Sequence, residues 1–359
     1  MKAFGGIYAG RRVLVTGHTG FKGSWLALWL HELGAELAGI ALDPETKPNH
    51  WDLLKLPVRD IRLDIRDAER LAAAVAEARP EVVFHLAAQP LVRRSYRAPL
   101  ETWSTNVVGT ANLLDACRKI TDVKVIVVVT TDKVYQNNEW SWGYRENDAL
   151  GGHDPYSASK AAAELVVASY RQSFFSAENA PLIASARAGN VIGGGDWSDD
   201  RLIPDIVRAT ARGESAEIRS PNATRPWQHV LECLAGYLML GQRLLARDTA
   251  FAEAWNFGPD AAGNRSVQEV LHAMRGHWSQ FSWHLSKGVH PHEAGLLQLD
   301  TAKARSRLNW RPVWSLEEAL EKTATWYQVQ FSGDKPPSRE QLLAFVSAAR
   351  EHKATWAGA

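Results

Sequence analysis

The chain has 359 residues, enough for one large or two ordinary domains with a substantial core. Its 41 basic and 40 acidic residues leave a formal charge of +1, which implies no general attraction to nucleic acid or an anionic membrane; any anionic ligand has to be held locally. The two cysteines, Cys117 and Cys233, suggest neither a disulfide framework nor a metal cluster, and read as buried thiols of a reducing, cytoplasmic compartment.

Met1 to Gly10 lacks the apolar core of a signal peptide. The longest apolar segment, Trp25 to Leu42, is interrupted by His31, Glu32, Gly34 and Glu36 and is not expected to span a membrane. Val13 to Thr16 reads as a first strand, followed by the turn Gly17-His18-Thr19-Gly20-Phe21-Lys22-Gly23 into a helix Ser24 to Leu33. This glycine spacing lets backbone approach a pyrophosphate at a helix N-terminus. A second strand ends in Asp43, 20 residues past Gly23, where a carboxylate accepts hydrogen bonds from an adenosine ribose. An acid there repels a 2′-phosphate, so NAD is favoured over NADP.

Ile61 to Leu63 looks like a third strand, ending at Asp64-Ile65 near the adenine. A helix Asp67 to Ala78 leads to a fourth, Val82 to Ala88, whose small terminal residues let a cofactor backbone pass. Gln89 and Pro90 open a loop, and a long helix from Pro99 to Ala116 follows. Val125 to Val129 is short, β-branched and buried in character, with Thr130, Thr131, Asp132 and Lys133 at its carboxyl end, where open α/β sheets place ligands.

Asp154 is a good N-cap and Pro155 suits the first helical position, so a helix begins there and runs to Phe174 or Phe175. Tyr156 and Lys160 are then i and i+4 on one face. A phenol with a reference pKa of about 10 is a poor base, but a lysine one turn away and the helix N-terminus both favour phenolate. This helix is apolar on more than one side, which predicts a homodimer, or a tetramer built from it, through its outer face; packing within the chain is the alternative.

Leu182 to Ala186 is a sixth strand, ending at Arg187 and Asn190. Beyond it the alternation weakens: a Gly193–Trp197 loop, a helix Ile203 to Arg212, the run Arg225 to Val230, and Trp255 to Gly258, a strand able to rejoin the first sheet. Leu316 to Gln330 is a terminal helix, with another after Pro336-Pro337. Most of the 15 tryptophans belong to core. The expected fold is α/β: a doubly wound parallel sheet of the Rossmann type over residues 1–180, and a smaller mixed α/β substrate-binding lobe over 181–359.

The glycine turn, Asp43, Asp64, Ala87-Ala88, Thr131-Asp132, Tyr156-x-x-x-Lys160, Arg187 with Asn190, and Arg225-Pro226-Trp227 together resemble the extended short-chain dehydrogenases/reductases of the nucleotide-sugar 4,6-dehydratase group. The resemblance covers Val13 to Trp326. Within the group, the Gly17–Trp25 stretch, Thr131-Asp132-Lys133 and Gly151–Ser157 are similar to the branch acting on CDP-glucose.

The resemblance implies NAD contacts from Gly17, Thr19, Gly20, Phe21, Lys22, Gly23, Asp43, Asp64, Ile65, Leu86, Ala87, Ala88, Asn106, Thr130, Tyr156 and Lys160. Tyr156 would take the proton of the sugar 4-hydroxyl while hydride leaves C4, with Thr131 bonded to the same oxygen. Asp132 would donate to the departing 6-hydroxyl. Lys133 stands where the dTDP-glucose and GDP-mannose enzymes have Glu. A lysine at its reference pKa costs roughly 4 to 5 kcal/mol to deprotonate at pH 7, so it is either a depressed base for the C5 proton or a fixed charge on the enolate. Gln89, Asn190, Arg201 and Arg225 are candidates for the nucleotide sugar, with guanidinium groups on its diphosphate. Arg187 is a candidate for a structural role, and Trp227, Trp197 or Trp142 for stacking. A dehydratase or 4-epimerase of another nucleotide sugar, a simple reductase and an idle NAD-binding module are the alternatives.

Overall fold

Seven short strands carry the fold in the computed structural model, which describes residues 1–286, 288 and 296–358. In chain order the elements are β1 (Arg12–Thr16), α1 (Phe21–Glu32), β2 (Glu36–Ala41), β3 (Arg59–Arg62), α2 (Ala68–Ala78), β4 (Val82–His85), α3 (Gly109–Cys117), β5 (Val125–Val129), α4 (Pro155–Ser173), β6 (Leu182–Ala188), α5 (Leu202–Ala211), α6 (Val230–Leu245), β7 (Ala254–Phe257), α7 (Val267–His277), α8 (Leu316–Phe331) and α9 (Ser338–Glu351). The strands form one sheet of order β7-β6-β5-β4-β1-β2-β3, and every neighbouring pair is parallel.

Parallel pairing needs a crossover between strands, so helices cover both faces and the central strands must be apolar on both sides. β4, β5 and β6 are buried along their whole length. Alternate residues serve opposite layers. Val13, Val15, Phe84 and Val127 pack with Trp25, Trp29 and Leu234, while Leu14, Val83 and Ile126 pack with Leu71, Leu113 and Val167 on the other face. Each such side chain contributes about 1.5–3 kcal/mol on full burial.

Several boundaries differ from those read in the sequence. Helix α1 starts at Phe21 because Gly20, extended in backbone, is its N-cap. The long helix expected from Pro99 runs without interruption through Pro99–Trp103, a π turn Ser104–Val108, and α3, with helical backbone angles where the segments join. β4 stops at His85, leaving Leu86 to Ala88 as loop. Helix α6 was not foreseen, because almost every side of it is buried and no polar stripe marks its period. Asp154 caps α4 through the Ser157 N–H at 3.0 Å, with Pro155 in the first turn. Both cysteines are free and buried, and no helix among the described residues is long and apolar enough to cross a membrane.

Polar atoms inside this core are tied into chains. His50 Nδ1 meets Ser24 Oγ at 2.8 Å and its Nε2 meets Ser338 Oγ at 2.8 Å, an oxygen that also accepts the Trp326 indole N–H at 2.8 Å. His85 lies between Thr16 Oγ1 (2.7 Å) and Thr110 Oγ1 (3.0 Å).

Burial pushes His50, His85 and His229 down to about 3. A group that is neutral when folded and protonated when unfolded contributes stability that is complete above its unfolded pKa near 6.5 and is lost as pH falls toward 3. Each contributes about 1.4 kcal/mol per pH unit, so the three together should cost roughly 6 kcal/mol between pH 6.5 and 5. Urea titrations at pH 7, 6 and 5 should show the midpoint falling steeply; a midpoint that stays flat over this range contradicts the reading.

Candidate active site

The loops after β1, β4 and β5 leave the sheet at one edge, because Thr16, His85 and Val128 share one register row. With residues 188–205 and 217–227 they wall a cavity of about 1090 Å³.

At one end stands the β1–α1 turn. Gly17 has φ +73°, and a Cβ on it would lie 2.7 Å from the Ala87 nitrogen; one on Gly23 would lie 2.0 Å from the Gly17 carbonyl oxygen. Only glycine lets strand, turn and helix come this close. Gly20 offers no side-chain acceptor to the first amides of α1, so the helix opens on the cavity with donors suited to a phosphate. Thr19 Oγ1 donates to the Leu42 carbonyl at 3.0 Å, fixing the turn against the end of β2. Asp43 follows, its side chain 87% exposed and 3.6 Å from Arg62. Asp64 accepts from Arg66 Nε at 2.9 Å and Nη2 at 2.5 Å, and this guanidinium holds its carboxyl below the usual range. Ile65, Leu86, Ala87 and Ala88 complete this wall, with Phe21, Lys22 and Gly23 nearby. Two carboxylates, a glycine cradle and uncapped helix amides fit a dinucleotide with free ribose hydroxyls.

The middle of the cavity holds Thr130 to Lys133, Tyr156 and Lys160. Thr131 is close enough to Tyr156 to work against the rise in its pKa, and its Oγ1 donates to Asp132 Oδ1 at 2.9 Å. Asp132 is completely buried, and its Oδ2 has no partner. Lys133 Nζ lies 3.4 Å from Asp132 Oδ1 and 3.5 Å from Asn190 Oδ1. The expected phenolate is not what the structure holds: burial, the largest cause, pushes Tyr156 up to about 12. Lys160 does not offset this, because its amine is turned to the Val129 carbonyl at 3.1 Å. Burial, aided by Lys22, lowers Lys160 to about 8.

Behind these residues Glu164, one turn past Lys160, accepts from Thr130 Oγ1 (2.5 Å), Ser185 Oγ (2.7 Å) and Arg187 Nη2 (2.9 Å). Arg187 also donates to Tyr135 and to the Glu146 carbonyl. It is buried in this pair and absent from the cavity wall.

At the far end Asn190, Arg201 and Arg225 line the wall, with Trp197 and Trp227. Arg201 Nη1 lies 2.9 Å from Asp196 Oδ2; burial works against its charge, and the carboxylate outweighs it and raises its pKa. Trp142 is exposed and lies at a tilt against Trp140 instead. Gln89 reaches the wall, but its amide is spent on Leu91 and Thr102. Asn106 stands behind the wall, clamping the Gln89 backbone at 2.8 and 3.1 Å and Ser159 Oγ at 2.9 Å. Glu164, Arg66, Arg93 and Arg219 were not singled out from the sequence. A glutamate within the apolar run Ala161 to Val167 was the available signal for the first.

Replacing Glu164 with Gln leaves the Arg187 charge buried without its counter-charge, which typically costs about 3–5 kcal/mol. Guanidinium unfolding should show a loss of this order, and a variant as stable as the parent would deny the pair its role.

Sequence and structure comparisons agree with this layout. The family model for GDP-mannose 4,6 dehydratase matches residues 14–323. The chain is 49% identical over 350 residues to CDP-glucose 4,6-dehydratase of Salmonella typhimurium, covering 95% of this chain and 98% of that protein. Among solved structures, the Streptomyces venezuelae dTDP-glucose 4,6-dehydratase with NAD bound superposes with a TM-score of 0.75 at 25% identity, over 90% of this chain and 98% of that one. The Thermus thermophilus UDP-glucose 4-epimerase in complex with NAD gives 0.76 at 25% identity, over 88% and 98%. A match spanning nearly the whole sheet and both ends of the cavity means that the chain belongs to the GDP-mannose 4,6-dehydratase family of extended short-chain dehydrogenases/reductases.

Proposed function

We propose that the chain binds NAD and converts CDP-D-glucose to CDP-4-dehydro-6-deoxy-D-glucose with loss of water. The observation that carries this reading is that Tyr156, Thr131 and Asp132, the last bonded to Thr131 and left with an unpartnered Oδ2, share one wall of a cavity of about 1090 Å³. The likeness to the Salmonella enzyme supports CDP-glucose as the substrate.

Gly17 to Gly23, Asp43 and Asp64 would hold the cofactor, with Lys160 and Tyr156 toward its reactive end. NAD held there would supply a hydride acceptor for C4 and a hydride donor for C6, so the overall reaction would involve no net oxidation. Tyr156 removes the 4-hydroxyl proton and Thr131 orients the same oxygen. A ketone at C4 acidifies the C5 hydrogen, and Lys133, 3.4 Å from Asp132 Oδ1, either exchanges that proton as a base or steadies the enolate as a fixed charge. Asp132, through its unpartnered Oδ2, protonates the departing 6-hydroxyl, giving water. A 4-epimerase needs the tyrosine but no acid at Asp132.

A division near residue 180 is proposed by role: the first part carries the cofactor turn and acids, while 181–359 contributes Asn190, Arg201 and Arg225 and adds β6 and β7 to the same sheet. A homodimer is proposed through α4. Leu165 on α4 and Leu100, Trp103 and Val108 beside it are all exposed, an apolar face that a second copy would cover.

Incubation with CDP-glucose, dTDP-glucose, UDP-glucose and GDP-mannose should give the alkali-induced ultraviolet band of a 4-keto sugar with the CDP sugar above all others. Asp132→Asn should still reduce the cofactor while water loss falls at least about 100-fold, the size of a lost general acid; unchanged turnover would overturn the assignment. For the interface, Leu165→Arg should shift sedimentation from dimer to monomer, and a variant that stays dimeric would place the contact elsewhere.

A further inference from the structure

Arg93 sits in the short helix Val92–Arg97 after β4, and Arg219 just past the strand Ala216–Ile218. Both line the cavity, and both reach the same atom: Asp200 Oδ1 is 3.4 Å from Arg93 Nη1 and 3.4 Å from Arg219 Nη1. Charge-assisted pairs normally close to about 2.7–2.9 Å, so this oxygen is shared between two guanidinium groups and gripped by neither. The side chains are 28%, 21% and 23% exposed for Arg93, Arg219 and Asp200, open to the cavity and shielded from bulk water. Asp200 also holds a left-handed backbone, φ +57°, which an L-residue with a Cβ adopts at a cost of about 1–2 kcal/mol.

One carboxylate oxygen between two planar forks satisfies little of what they can donate. A diphosphate brings more negative charge and several oxygens, spaced so that each guanidinium can engage two. We propose that Arg93 and Arg219 form a seat for the diphosphate of the nucleotide sugar and that Asp200 is its internal stand-in, exchanged when the ligand arrives. The inference rests on the nucleotide-sugar reading above. Asp200 thereby keeps two arginines apart and neutralised in the resting cavity, and competes with the ligand for them. It is a positioning residue, and its effect falls on binding.

The test is Asp200→Asn, which keeps shape and tolerance of the left-handed backbone while removing the competing charge. CDP and inorganic pyrophosphate would be titrated calorimetrically into the full-length wild-type protein and its variants, with KM and kcat for CDP-glucose measured alongside. Asp200→Asn should tighten CDP and pyrophosphate and lower KM by about threefold or more, the change falling on KM. Arg93→Ala and Arg219→Ala should each weaken CDP by about tenfold or more, and Arg93→Ala should cancel the gain of Asp200→Asn in the double variant. Binding that is unchanged or weaker in Asp200→Asn overturns the exchange, as does full affinity in the arginine variants or failure of the wild type to bind either anion. If the wild type turns over no CDP sugar yet the titrations behave as stated, the substrate reading fails and the anion seat stands.

Discussion

The buried pair Glu164–Arg187 is the constraint on which the rest of the site depends. Each side chain is 4% exposed, so taking the two charges out of water costs several kcal/mol per ion unless every lone pair is answered. Glu164 meets that demand with three donors, from the end of β5, from β6 and from Arg187 itself. Arg187 extends it to the Tyr135 hydroxyl, which donates in turn to Asn256 on β7. Burial alone would raise the Glu164 pKa, and Arg187 reverses the direction and keeps it below the usual carboxylate value. A helix pinned at Glu164 has no freedom at Lys160, one turn earlier, or at Tyr156, two turns earlier. Strand end and helix therefore face each other at a spacing set by electrostatics, and the tyrosine–threonine contact is its consequence.

The same logic explains how a nearly neutral protein builds an anion site. Lys22, Lys133, Arg93, Arg201, Arg219 and Arg225 all border one cavity, and unpaired they would repel one another in a medium far less polar than water. Asp132, Asp196 and Asp200 each stand beside one or more of them. Local pairing lets the fold assemble the cations first and present them to a ligand later. Such a cavity discriminates by the geometry of its acceptors as well as by their charge.

Much of this was legible from the chain alone, and the boundary between what was and was not has a physical origin. The glycine turn, the β5 end and the Asp154–Lys160 helix start are local: turn chemistry, capping and period are set within a few residues, and each leaves a mark. Gln89 and Asn106 brace the loop after β4, a role invisible in the chain alone because an amide beside a ligand and an amide that braces the backbone look alike until partners are seen. The Arg93–Asp200–Arg219 contact joins three distant segments and leaves no periodic signal. Helix α6 was hidden because it is buried all round, so neither its start nor its face contrasts with its neighbours.

The titration of Tyr156 carries the last step. A phenol at about 12 costs roughly 7 kcal/mol to ionise at pH 7, five units at about 1.4 kcal/mol each. Lys160 near 8 is still mostly charged there, yet its proton is directed at a carbonyl. Deeper burial would raise the phenol further, since desolvation penalises the anion. Only positive charge or new hydrogen bonds brought by ligands can lower it. Coupling of this kind is reciprocal: a ligand that lowers the phenol by a given number of units must bind the ionised tyrosine tighter by the same power of ten. In the resting cavity the phenol therefore keeps its proton, and a role for Tyr156 as a base depends on what binds beside it.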